Sequence, residues 1–545
     1  MKFIRLLFAE AGDDRFKLLL VSILPGIIMA GVIALVTTVS NNDNSENLHI
    51  VELCLFIIGC AIVLLTMNRA LNEMTALVSG FLDRKRLAIA HQVRGLSLSS
   101  FERIGQTRIN EAMGRDLQTI DETAPTIVAL IFFVMQLVAS ALYIGYLSIL
   151  AFGVTLVFLS TATYFYRRSY IDAEATWKEA TATESAFRAS LDHLLAGFRE
   201  IKLNARRGED LFSNYIVPRS RRVEKLKVAS GRGFNRGQTL SDVFFYALMG
   251  SIVFAIPHYL SDASVPSKIT LVIVFSSGAI GSVIRILPMV ARANVAVENI
   301  ALLEQELATE RMSVPDSLIQ NEVRLNKGLE VRALTYTYAD PAGGPGFAVG
   351  PCDLDLTPGE TVFIVGGNGS GKSTLIKLLT GLYEPGGGMI RWDGLPVTPT
   401  NIDAYRGLFT VIFADFHLFD RLYGIGDVEP AQLQALLKEM KLEDKVFFEG
   451  GRFSTTDLSS GQRKRLAMIV ARLEDRPIAI FDEWAADQDP EFRRYYYEHL
   501  LPQLKAEGRT VIAITHDDRY FHAADKVIWM EEGRIIRVER QTEPA

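Results

Sequence analysis

Apolar residues are unevenly spread along the chain. Up to about residue 300 they gather into long runs with few charges, and after about residue 320 they mix with polar positions in short segments. A helix needs about 20 apolar residues to cross the hydrocarbon core of a bilayer. Six runs meet or approach that length: Leu18 to Val39, Val51 to Met67, Pro125 to Tyr146, Leu147 to Phe165, Val243 to Leu260 and Ile269 to Val290. A buried soluble helix is an alternative for any one run, but not for all six. The first run is too long for the apolar segment of a cleaved leader, so it is expected to stay as a span.

Charge orients these spans. The second-to-third connection carries Arg84, Lys85, Arg86, Arg94, Arg103, Arg108 and Arg115, and the fourth-to-fifth carries Arg168, Lys178, Arg188, Arg199, Lys202, Arg206 and Arg207. The opposite side is nearly bare: "NNDNSENLH" has no Lys or Arg, and "SDASVPSK" has only Lys268. Cytoplasmic loops are rich in Lys and Arg, so both termini are expected in the cytoplasm. In "FERIGQTRINEAMGRDLQTIDE" the apolar positions Ile104, Ile109, Met113, Leu117 and Ile120 recur at three- and four-residue steps, which predicts helix rather than loop. Spanning helices prolonged in this way would reach a soluble domain.

Composition changes the picture in two ways. The 545-residue chain is 49% hydrophobic, which fits one membrane half and one aqueous half. Its net charge of -6 argues against a nucleic-acid binder, so nucleic acid is not an expected partner, whereas the six spans make membrane lipids one. Cys54, Cys60 and Cys352 show neither zinc-ligand spacing nor a disulfide framework.

The soluble half carries the chemistry. "ETVFIVGGNGSGKSTLIKLL" reads as a β-strand, a glycine-rich turn and a helix, and matches G-x-x-x-x-G-K-[ST] from Gly366 to Ser373. Amides of Gly366, Gly367, Asn368, Gly369, Ser370 and Gly371 are expected to cradle phosphate oxygens at the helix N-terminus. Lys372 is expected on the β- and γ-phosphates of ATP, Ser373 on Mg2+ and Thr374 near the α-phosphate. In "IFDEWAADQDP" a second buried strand ends in two acids. Asp482 is expected to hold Mg2+ through water and Glu483 to act as general base on the attacking water. "TVIAITHD" places His516 at a third strand tip, where it would sense the γ-phosphate. "DLSSGQRKRLAMIVARL" opens a helix that makes a second anion site.

"GGNGSGKST", "LSSGQ", "FDE", "DQD" and "ITHD", in this order behind six spans, resemble an ABC exporter across essentially the whole chain. The resemblance implies an α-helical six-span transmembrane domain with cytoplasmic coupling helices (1–308), a linker (309–328) and an α/β P-loop nucleotide-binding domain (329–545). It implies a homodimer in which Ser459, Gly461 and Gln462 of one subunit close over the ATP held by the other. Tyr338 matches the aromatic residue that stacks on adenine, and Asp489 the acid of the loop joining the two sites. Segments near Gly114 to Glu122 and in the fourth-to-fifth connection match coupling helices that dock on the nucleotide domain. Hydrolysis at Glu483 would reset a cavity that alternates between the two sides of the bacterial inner membrane.

The chain departs from the family at several points. Trp484-Ala485-Ala486 stands where Pro-Thr-Ser or similar is usual, and Ala414 replaces the usual glutamine of the metal-ligating, signalling loop; Asp415, His417 or water are candidate substitutes. "FADFHLFD", "LSSGQRKRLA", "FDEWAADQDPEFRRYYYEHLLP" and "GFREIKLNARR" look like the bacterial branch that exports cyclic peptides, microcins and siderophore precursors. A peptide substrate is therefore expected. A lipid or multidrug exporter is the rival, and an ATP-gated channel or regulator the more distant one. Asn68, Tyr143, Tyr146, His258, Ser276 and Arg285 are the polar or aromatic span residues from which a cavity would draw.

Overall fold

The computed structural model describes residues 2–10, 12, 15–40, 50–259, 264–309, 323–338 and 346–541. The "NNDNSENLH" loop and residues 310–322 of the expected linker lie outside the described residues. The chain divides into two units, Met1–Ile89 with Ile109–Glu304, and Ala90–Arg108 with Gln305–Ala545.

Six helices among the described residues are long and apolar enough to cross a membrane: Leu19–Val39, Ile50–Arg94, Gln106–Leu147, Ile149–Ala196, Ala205–Tyr259 and Val265–Thr309. At 1.5 Å per residue, the 45 residues of Ile50–Arg94 span about 67 Å, twice the hydrocarbon thickness. The expected prolongation beyond the bilayer is thus present. The third and fourth spans part at a single extended residue, Ser148, rather than running through it; its Oγ caps the next helix by accepting the Ala151 N–H at 3.3 Å. Close approach of helices in lipid needs small residues. A Cβ at Gly26 would stand 2.5 Å from the Phe132 carbonyl oxygen, and one at Gly233 would stand 2.8 Å from Ala173 Cβ. Ser230 Oγ adds a hydrogen bond to the Ala173 carbonyl at 2.8 Å, and Phe165 stacks on Phe244.

The second unit is built on a six-stranded sheet in the order Arg534–Arg540, Lys526–Glu531, Thr361–Val365, Thr510–Ile514, Ile478–Asp482, Phe409–Ile412. All neighbours are parallel except the first pair. The strands Thr361–Val365, Ile478–Asp482 and Thr510–Ile514 are buried at every residue, as parallel strands covered on both faces must be. A four-stranded antiparallel sheet contains Leu329–Thr337 and Ala348–Leu356, whose apolar side chains join one core with Ile364, Leu375 and Ile512.

The docking segment lies elsewhere than expected. Gly114 to Glu122 belongs to the first unit, as a π-helical turn, Ala112–Asp116, that runs into the helix Leu117–Leu147. The segment that joins the nucleotide unit is the short helix Leu98–Ile104, capped by Ser97 and ended by Gly105 at φ +84°. That glycine interrupts the helix predicted across "FERIGQTRINEAM". Leu98 packs on the nucleotide unit's core, and Glu102 accepts hydrogen bonds from Tyr383 Oη at 2.6 Å and Lys377 Nζ at 3.2 Å. In the fourth-to-fifth connection the short helices Phe198–Leu203 and Ala205–Asp210 bury no residue.

Candidate nucleotide and cargo sites

Three parallel strands deliver the nucleotide site at their carboxyl ends, where open α/β sheets bind ligands. After Val365 the chain turns through Gly366, Gly369 and Gly371 at φ +159°, +79° and +95° into the helix Lys372–Leu379. At Gly366 no side chain fits, because a Cβ would lie 2.2 Å from the Met530 carbonyl oxygen. Lys372 Nζ folds back onto the Gly366 and Gly367 carbonyls, each at 2.9 Å. Burial lowers its pKa, and the charges of Glu483 and Asp482 oppose that shift. Ser370 Oγ is buried with no partner among the described residues. A cationic group folded onto carbonyls and an unsatisfied hydroxyl, beside left-handed glycines, suit a polyphosphate.

The two acids sit in different environments. Asp482 is buried and accepts from Ser373 Oγ at 3.1 Å. Burial raises its pKa, the Ser373 bond pulls it down, the Glu483 charge raises it again, and the Ala414 backbone amide pulls it down. Ala414 has no polar side chain to offer there, where the family's usual residue would use one. Among the described residues no cluster of three or more His, Cys, Asp or Glu could hold a metal by itself. The Ser373–Asp482 pair therefore suits an ion that takes most ligands from phosphate and water, as Mg2+ does. Glu483 is half-exposed, with Oε1 3.2 Å from His516 Nε2. Its backbone is left-handed at φ +50°, a strained conformation outside glycine.

Two bonds hold that conformation: Glu483 N–H donates to the Ile514 carbonyl at 3.2 Å, and buried Lys464 Nζ donates to the Glu483 carbonyl at 2.7 Å. Lys464 also pairs with Asp487 at 2.7 Å. The residues after Glu483 now have a physical role. Trp484 is 1% exposed, stacks on Tyr496 at 4.7 Å and donates its Nε1–H to the Lys464 carbonyl at 2.9 Å. Gln488 donates to the Gly461 carbonyl at 3.1 Å and accepts from Arg465, whose guanidinium lies 3.6 Å from the Phe492 ring centre. "WAADQD" therefore knits the catalytic strand to the "LSSGQ" helix of the same chain. The sequence offered no signal for Lys464 beyond its place in that helix.

A cavity of about 1040 Å³ is lined by Gly366 to Ser370, His516, Phe347 and Trp529. Of the other residues expected at the site, Gly371, Lys372, Ser373, Thr374, Asp482 and Glu483 do not line it, nor do Ser459, Gly461, Gln462, Asp489 and Tyr338. Ser459 forms a capping box with Gln462 at the exposed start of the helix Ser460–Leu473, and Gly461 is buried against the Asp487 carbonyl. Asp489 caps the helix Pro490–Tyr495 by accepting the Phe492 N–H at 2.8 Å, and accepts from Arg465 at 2.6 Å; both bonds lower its pKa, the backbone one more. Tyr338 Oη lies 3.0 Å from Thr374 Oγ1, and its ring packs edge-on against Tyr336 and Tyr383.

Residues 349–486 match the ABC transporter family. The ATP-binding protein SyrD of Pseudomonas syringae pv. syringae is 32% identical over 543 residues, 98% of this chain and 95% of that protein. The chain belongs to the ABC exporters. An ATP-dependent lipid A-core flippase of Hahella chejuensis (strain KCTC 2396) is 33% identical over 232 residues, 39% of this chain and 38% of the flippase. A bacterial Atm1-family ABC exporter solved with ATP bound shares the fold at TM-score 0.73 and 17% identity, over 97% of this chain and 95% of the other. The exporter is thus a multi-pass membrane protein that binds and hydrolyses ATP, as the resemblance implied.

The spans hold a second cavity, of about 610 Å³, in the first unit. Of the span residues considered from sequence, Ser276 and Arg285 line it, and Asn68, Tyr143, Tyr146 and His258 do not. Phe158, Tyr166, Phe244 and Phe245 supply aromatic surface, and Asp242, which sequence reasoning missed, supplies a carboxylate. Asp242 accepts from Gln238 at 3.2 Å and Arg285 donates to Ser282 Oγ at 3.0 Å. Among the described residues neither charge has an opposite partner within 4 Å.

Two outcomes follow from this geometry. Trp484→Ala removes a fully buried indole and is expected to destabilise the nucleotide unit by about 3–5 kcal/mol, read as a lower midpoint in denaturation. Asp482→Asn removes a charge that burial disfavours while keeping an acceptor for Ser373. It is expected to abolish ATP turnover yet raise the melting temperature of the nucleotide-free protein at neutral pH. Because the folded pKa of Asp482 is raised, that gain shrinks as pH falls and the native carboxyl takes up its proton. A loss of stability at neutral pH would contradict the reading of Asp482 as a desolvated charge.

Proposed function

We propose that the exporter works as a homodimer in the bacterial inner membrane, with its nucleotide units cytoplasmic, and exports an amphipathic peptide of the cyclic, lasso or siderophore-precursor type. The observation that carries this reading is the cavity in the spans. Its aromatic walls suit apolar side chains, while Asp242 and Arg285 offer one site for an ammonium and one for a carboxylate. Ionisable groups kept without a charged partner in a membrane segment are costly, and such cost is a mark of function. The motifs that look like the peptide-exporting branch support the same reading, and the likeness to a lipid A-core flippase reaches only 39% of the chain.

In the nucleotide unit, the Gly366 to Ser370 amides and Lys372 hold the phosphates, and Tyr338 stacks on adenine. Ser373 and Asp482 would hold Mg2+, which would supply charge to stabilise a transferring phosphoryl group. Glu483 takes the proton of the attacking water and His516, at 3.2 Å, orients it. Ser459 stands at the exposed start of its helix, which supports the use of Ser459, Gly461 and Gln462 on the partner's ATP. Asp489 fixes the loop between them by capping its helix. Closure and release of the two nucleotide units then alternate the cavity between the two sides, and a cargo shifts that balance only through unequal affinity for the two states.

ATP turnover in lipid nanodiscs, with a panel of lasso, cyclic and siderophore-type peptides, tests this reading. Glu483→Gln is expected to lower turnover by at least ~100-fold. Peptides are expected to stimulate the wild type, and zwitterionic ones are expected to lose that effect in Asp242→Asn and in Arg285→Gln while basal turnover stays. Stimulation by lipids or drugs alone would move the assignment to the rival exporter.

A further inference from the structure

Ala414 gives the nucleotide site no polar side chain through which the membrane half could read it. A different chain of side-chain contacts leaves the P-loop helix. Thr374 Oγ1 lies 3.0 Å from Tyr338 Oη, and the Tyr338 ring meets the Tyr383 ring edge-on at 6.0 Å. Tyr383 stacks on Tyr336 at 4.7 Å, is 1% exposed, and donates its hydroxyl to Glu102 at 2.6 Å. Lys377, on the helix that begins at the P-loop, holds the other Glu102 oxygen at 3.2 Å and lies 4.9 Å from the Tyr383 ring centre. Glu102 belongs to Leu98–Ile104, the segment of the long second-to-third connection that joins the nucleotide unit.

We propose that Thr374, Tyr338, Tyr383 and Glu102 form a relay that reports nucleotide occupancy to the helix Leu98–Ile104, in the place of the side chain missing at Ala414. The relay has two arrangements. In this structure the Thr374 and Tyr338 hydroxyls are committed to each other. A nucleotide seated on the P-loop competes for the Thr374 hydroxyl and for the Tyr338 ring, so it favours a second packing of Tyr338. Tyr383 feels that change because close-packed rings shift between discrete packings rather than deform smoothly. Its phenol is the donor to Glu102, so a turned ring lengthens or aims away a charge-assisted bond. Glu102 and Tyr383 are positioning residues here: they touch neither phosphate nor water, and they act through Tyr338. The rival account is a passive anchor, in which the Glu102 contacts hold the helix regardless of nucleotide.

Hydrogen exchange of residues 97–104 in the full-length protein in nanodiscs separates the two. It is measured with and without β,γ-imido-ATP and Mg2+, for wild type, Tyr383→Phe, Glu102→Gln and the double variant. Tyr383→Phe keeps the stacked ring and loses only the donated hydroxyl. Wild-type exchange is expected to change on binding by about fivefold or more. Each single variant is expected to lose most of that change, and the double variant no more than either, since both cut one path. Basal ATP turnover and KM for ATP are expected to stay within about twofold of wild type, because neither residue belongs to the phosphate site. A nucleotide-dependent change kept in both variants overturns the relay. So does exchange raised equally with and without nucleotide, which is the signature of a passive anchor, or a loss that tracks a raised KM.

Discussion

The ammonium of Lys464 is buried among groups that leave it two oxygen acceptors, the Glu483 carbonyl and the Asp487 carboxylate. A buried cation must be paired, and this one pays for its burial by pinning the backbone at Glu483, the carboxylate proposed as general base. Glu483 can occupy a left-handed conformation because both sides of its peptide are tied, and that conformation turns its side chain toward His516. Trp484 then returns its indole N–H to the carbonyl of the same lysine. The strand Ile478–Asp482 and the helix Ser460–Leu473 are thereby tied together, so a displacement of the Ser459 end would be felt at Glu483.

This coupling has direction in a homodimer. In the proposed homodimer the "LSSGQ" helix of each chain would face the partner's nucleotide, while Glu483 would serve its own, and a rigid link between them would let each chain sample two sites at once. The small residues common in this loop elsewhere in the family would leave the link to backbone contacts. An indole stacked on Tyr496, with Arg465 laid over Phe492, makes it stiffer.

Much of this was legible in the sequence, and the reasons are physical. Spans announce themselves because lipid demands length and apolarity, and the phosphate loop because glycine, lysine and hydroxyl must follow a strand at fixed spacing. The docking segment was misplaced because the family match was laid on a stretch that periodicity reads as unbroken helix, whereas Gly105 at φ +84° ends a separate short helix before it. Tyr383, Glu102 and Lys464 were invisible because their roles depend on partners hundreds or tens of residues away. Asp242 was passed over because it stands one residue before an apolar run, so that only folding shows it facing Arg285's cavity.

The helix Ile50–Arg94 has a mechanical consequence. A rod about 67 Å long acts as a lever, so a tilt of about 5° at its inner end sweeps the far end through about 6 Å. That is roughly one helical turn, enough to trade one set of side-chain contacts for the next. The length that sequence reveals as mere excess over the bilayer is therefore gain: a small rotation at one end of the rod becomes a large displacement at the other.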